Sequence, residues 1–143
     1  RRGEARSEGW RPNLRVAALF ALAARQMAVA EEGEQLRLLE GVPPECLRGE
    51  GLTAAEVPTA FGTLSLKARR GRLGYRVEIG GGVRPPGGFW LAWPYGETPT
   101  RVDLNERTLP EQFLSEDGIR LPDTFKGTVT ARFSGEMEDL RDR

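Results

Sequence analysis

Glu31 and Glu32 stand side by side in a chain of 143 residues, and a pair of carboxyl groups is what glycoside hydrolysis requires. That chemistry places one protonated and one ionised carboxyl roughly 5–10 Å apart on either side of a sugar. Adjacent residues do not face one another, and the neighbouring sequence offers no apolar pocket that would keep one of them protonated. The plainer expectation for Glu31 and Glu32 is a solvated or arginine-paired turn, with catalysis the minor reading. Glu116-Asp117, just ahead of Gly118, has the composition of an ordinary acidic turn.

Flat rings that stack on sugars are concentrated at Phe89, Trp90, Trp93 and Tyr95. Strand alternation puts Phe89, Leu91 and Trp93 on one face, toward a core. Trp90 is left on the opposite face and Tyr95 beyond Pro94, so these two are the candidate carbohydrate contacts; the alternative for Trp90 is packing on a neighbouring helix or domain. Arg69, Arg70, Arg72 and Arg76 form a basic cluster that lacks interleaved aromatics, and it reads as a hairpin tip kept soluble by charge.

Other chemistries are excluded by residue type. The chain has no histidine, which removes Ser-His-Asp and Cys-His nucleophile systems and every His-ligated metal site. Cys46 is single, so it forms neither an internal disulfide nor a Cys-x-x-Cys knuckle, and it reads as a small buried hydrophobe. Ser65 lacks the flanking glycines of a nucleophile elbow. The tract Gly80 to Gly88 reads as a loop and not a phosphate cradle, because two prolines interrupt it and no helix start follows. With 21 basic and 21 acidic residues the formal charge is zero, so neither nucleic acid nor an anionic membrane is an expected partner. No metal and no cofactor is expected.

The elements that position these residues follow from the hydrophobic period. Residues 1–12 lack any apolar period and read as a tail or linker. From Asn13, a plausible N-cap, the stretch Leu14 to Ala30 is built of helix formers, and its run VAALFALAA (Val16 to Ala24) is apolar all round, so the helix needs cover on most of its circumference. Arg25 and Gln26 make that run too short to span a bilayer. Arg15, the apolar run and Ala28-Val29-Ala30 before Glu31 also imitate a cleaved secretory signal, against which stand the two glutamates among the residues before the run. From Glu31 the period changes to alternation with frequent Gly and Pro; these number 18 and 10 in the whole chain. The expected fold is therefore mainly β, an antiparallel β-sandwich of about seven or eight short strands after one long apolar α-helix. The divisions are 1–12 tail, 13–30 helix, 31–133 sandwich and 134–143 polar tail.

The order of segments "MAVAEEGEQLRLLEGVPPECL", "VPTAFGTLSLKAR", "VDLNERTL" and "IRLPDTFKGTVTARF" resembles the carboxyl end of bacterial glycosidase-like proteins built on an (α/α)6 toroid. The resemblance covers about Leu14 to Phe133. It implies that the helix is the last of the toroid and that the sandwich is a non-catalytic accessory domain, buttressing that helix and shaping one rim of the substrate cleft. The implied partner is an upstream (α/α)6 catalytic domain, with carbohydrate as a second one. Such proteins carry Asn-Gly in the sandwich hairpin; here Glu106 follows Asn105, which predicts a less ideal or longer turn. The readings that compete with the accessory domain are a carbohydrate-binding module using Trp90 and Tyr95, and an exported free-standing sandwich with a signal peptide. Cytoplasmic and exported locations both remain open.

Overall fold

The structure, a computed structural model, describes residues 27–71, 74–94 and 96–133. Among them the strands in chain order are β1 (Val29–Glu32), β2 (Gln35–Leu38), β3 (Leu52–Thr59), β4 (Gly62–Gly71), β5 (Gly74–Gly81), β6 (Phe89–Ala92), β7 (Arg101–Leu104), β8 (Arg107–Thr108), β9 (Gly118–Leu121) and β10 (Gly127–Arg132). They form a four-stranded sheet, β1-β2-β6-β9, and a six-stranded sheet, β3-β4-β5-β10-β7-β8. The pairing of β2 with β6 is parallel and the others are antiparallel. The chain leaves β2, builds three strands of the other sheet, and returns along β6 in the same direction, the long crossover that a parallel pair needs.

Period-two alternation assigns the two faces of each strand. Leu64, Leu66 and Ala68 of β4, Tyr75, Val77 and Ile79 of β5, and Val129 and Ala131 of β10 are buried. So are Leu36, Leu38, Phe89, Leu91, Ile119 and Leu121 of the smaller sheet, and all belong to one hydrophobic cluster. Full burial of a side chain of this size contributes roughly 1.5–3 kcal/mol, so a one-residue register slip, which would send polar neighbours inward, is strongly disfavoured. The two sheets with their shared interior fit a β-sandwich, as the alternation predicts.

Several expectations need correction. The described residues hold no long apolar helix: only Met27 and Ala28 are helical in that stretch, and Val29 and Ala30 already belong to β1. Residues 13–26 lie outside the described residues, as do the tails 1–12 and 134–143. Strand pairing has overridden helix propensity, because Val29 sits opposite Leu38 and packs on the core. The strands number ten among the described residues, beyond the seven or eight expected, and β1 is the strand that the period did not show. Gly80 and Gly81 end β5, so the loop begins at Gly82.

The Asn105-Glu106 turn is neither long nor irregular. Leu104 pairs with Arg107 across it, and both turn residues have positive φ, +50° and +73°, as a two-residue type I′ hairpin demands. Asn105 tolerates this conformation and its side chain is fixed: Nδ2 donates to the Lys126 carbonyl at 3.0 Å, and Oδ1 accepts from the Thr128 N–H at 2.8 Å. Glu106 has no such excuse, and a left-handed non-glycine residue costs about 1–2 kcal/mol.

Candidate functional site

On β1, alternation sends Glu31 and Glu32 to opposite faces, and each is already engaged. Glu31 Oε2 accepts the Ala60 N–H at 3.0 Å, tying β1 to the β3–β4 turn of the other sheet. Glu32 Oε1 pairs with Arg37 Nη1 at 3.0 Å on the outer face. The two carboxylates therefore do not converge on a common space. They also do not follow a helix end as the sequence suggested, because both lie in a strand.

The outer face of the smaller sheet is organised by the row Ala30, Arg37, Trp90 and Arg120, which lie opposite one another across β1, β2, β6 and β9. Trp90 is half-buried, and the Arg37 guanidinium lies over its ring, 5.7 Å from the centroid. Such a contact is worth roughly 0.5–1 kcal/mol at an exposed site and covers one face of the indole. Arg37 Nε donates to Glu40 Oε1 at 2.9 Å, and a second nitrogen pairs with the other oxygen of Glu40. The hydrogen bond from Arg37 holds the Glu40 carboxyl below its ordinary range. Tyr95 lies outside the described residues. Cys46 is half-buried, packed at the margin of the core.

The six-stranded sheet carries a second set of polar groups that reading the sequence missed. Thr130 of β10 sits opposite Arg76 of β5 on one side and Asp103 of β7 on the other. These residues, with Asn105, Glu106, Thr128 and Arg132, line a cleft of about 380 Å³ on the outer face. The signal was present as the polar half of each alternating strand, but nothing local says that β10 lies between β5 and β7. Asp103 Oδ1 accepts from Thr108 Oγ1 at 2.8 Å and from Arg101 Nε at 3.1 Å. Partial burial pushes the Asp103 carboxyl up, but these hydrogen bonds and the neighbouring arginines outweigh it, leaving the group below the usual carboxylate range.

A pH dependence follows with a defined sign. A carboxyl whose folded value is depressed stabilises the fold above its unfolded value, near pH 4, and that contribution is lost as pH falls through the folded value. Tm followed from neutral pH down to about pH 2 is expected to drop across the acid end, and Asp103→Asn to flatten part of that drop. An unchanged slope in Asp103→Asn would show that the carboxylate is not linked to folding.

Set beside known proteins, the chain matches no family model, no curated protein and no solved structure, so its role has to be argued from this geometry.

Proposed function

We propose that the chain is a non-catalytic β-sandwich accessory module, held rigidly against a neighbouring helical domain of the (α/α)6 glycosidase-like kind that its sequence resembles. The observation that supports this reading most is the junction at Ala28. The helical residues Met27 and Ala28 pass into β1 without a linker, and Ala28 is fully buried within the core cluster. Its carbonyl accepts the Leu39 N–H at 2.7 Å. Leu39 itself is held at φ +64° with its side chain buried, a strained conformation for a bulky residue that only over-determined packing maintains. Domain boundaries usually fall in exposed, flexible linkers across which few contacts run. A chain that enters its sandwich through a buried residue transmits the orientation of whatever precedes it, which suits a buttress better than a tethered binding module.

The engagement of Glu31 and Glu32 in structural contacts supports a scaffolding role for both. The outer face around Arg37, Trp90 and Arg120 is the docking surface under this reading, since its aromatic ring and paired charges resemble an interface patch. Amide hydrogen exchange tests it. In the intact natural gene product, the amides of Arg37, Trp90 and Arg120 should exchange at least about tenfold more slowly than in the isolated 143-residue chain. Equal exchange in the two proteins would overturn the proposal.

A further inference from the structure

We propose that the cleft on the outer face of the six-stranded sheet is a binding site for a neutral polyhydroxylated ligand, a sugar unit, held by Arg76, Asp103, Glu106, Thr130 and Arg132. Its volume, about 380 Å³, falls within the roughly 300–1,000 Å³ of small-molecule sites. The lining is chemically mixed. Arg76 and Arg132 donate, the carboxyl groups of Asp103 and Glu106 supply acceptor oxygens, and the threonine hydroxyls do both. Two positive and two negative side chains stand in the lining, so neither an anion nor a cation would meet charge of the opposite sign alone. A phosphate would meet two carboxylates and a metal ion two guanidinium groups. A sugar hydroxyl donates and accepts at once, and a ring bearing adjacent hydroxyls needs donors and acceptors side by side, as the row Arg76, Thr130 and Asp103 supplies.

Two features support a built cleft. Both hydrogen bonds to Asp103 fall on Oδ1, so Oδ2 keeps its acceptor capacity while the carboxylate is held in place. Glu106 occupies a left-handed position, φ +73°, where glycine would sit without strain, yet it is one of the residues that line the cleft. Strain of this kind collects where a side chain is needed for something besides folding. Among the described residues no aromatic ring lines the cleft, so affinity rests on hydrogen bonds and Kd is on the order of millimolar. The site lies on the sheet opposite the Trp90 face, so this inference and the accessory-module reading fail separately.

The experiment is an amide chemical-shift titration of the whole chain with a panel of neutral mono- and disaccharides, with glucuronate and inorganic phosphate as charged controls. At least one neutral saccharide should shift the amides of Thr128, Thr130 and Arg132 saturably. Arg132→Ala, which removes an exposed donor, should weaken that binding about tenfold, whereas Trp90→Ala should leave it unchanged. Glu106→Gly should raise Tm by about 3 °C by releasing the strained turn, and at the same time weaken the saccharide by several-fold. The inference is overturned if no neutral saccharide moves these amides up to about 50 mM, well above the expected range. It is also overturned if only glucuronate or phosphate binds, or if Arg132→Ala and Glu106→Gly bind as the parent does.

Discussion

Trp93→Ala is expected to cost about 3–5 kcal/mol of folding stability, a large share of the roughly 5–15 kcal/mol that a domain possesses. Trp93 follows β6 directly and is only 6% exposed. Its ring meets Tyr75 edge-on at 5.9 Å and 80°, and Phe133 at 5.8 Å and 78°. Each such aromatic pair adds about 0.5–1.5 kcal/mol beyond the area it buries. The indole Nε1 donates to the Ser115 carbonyl at 3.0 Å, and the Trp93 backbone N–H donates to the Asp117 carbonyl at the same distance. Truncation therefore opens a cavity among β5, the end of β10 and the loop before β9, and removes the Ser115 carbonyl's partner. Trp93→Phe separates the effects: it keeps most of the packing and forfeits the indole N–H, for which about 1–2 kcal/mol is expected. Urea unfolding followed by circular dichroism reads both variants. A loss below about 1 kcal/mol for Trp93→Ala would show that the aromatic cluster does not hold this end of the core.

That cluster also marks how far the sequence alone reaches. The inward halves of β4, β5 and β6 were legible because Leu64, Leu66 and Ala68, then Val77 and Ile79, then Phe89 and Leu91 alternate without a break. The short 3-10 turn Pro44–Leu47 carries a local signal of its own, the Pro43-Pro44 pair that opens it. β1 was not, because Met27, Ala28 and Ala30 favour a helix, and only pairing with Leu38 and Arg37, which no local window contains, makes an extended chain cheaper there. Nor was the parallel pairing of Leu36 with Phe89, a contact between residues more than fifty positions apart. The irregularity in β3 between Ala54 and Val57, where Glu56 takes φ +53°, likewise leaves no compositional trace. For the sites the same division holds. Trp90 was correctly placed opposite Phe89 and Leu91, since that is alternation, but the guanidinium over its ring comes from a strand in another part of the chain. The cleft on the larger sheet combines residues from β5, β7 and β10 whose meeting is decided by strand order, a property of the whole fold.

Gly81→Ala is expected to destabilise the protein by about 2–5 kcal/mol, although replacing glycine by alanine within a strand ordinarily stabilises by a few tenths to about 1 kcal/mol. Gly81 ends β5 opposite Leu64, at φ +96°. A methyl group there would overlap the Thr63 carbonyl oxygen and lie 3.1 Å from its carbon and 3.3 Å from the Leu64 Cα. All of these are backbone atoms of β4, so the clash cannot be relieved by turning a side chain. The carbonyl that would be displaced also accepts the Val83 N–H at 3.1 Å, and Val83 is fully buried. Two costs thus combine, the left-handed conformation at about 1–2 kcal/mol and a forced shift of β4 or the 82–88 loop at about 1–3 kcal/mol. Gly82→Ala supplies the control from the adjacent position: its added methyl meets nothing within 4 Å, and a change within about 0.5 kcal/mol is expected. Hydrogen exchange should report the same contrast locally, with the Val83 amide losing protection in Gly81→Ala and keeping it in Gly82→Ala. If the two variants prove equally stable, the backbone of β4 is free to move away from Gly81, and the close approach of β4 and β5 does not constrain the larger sheet.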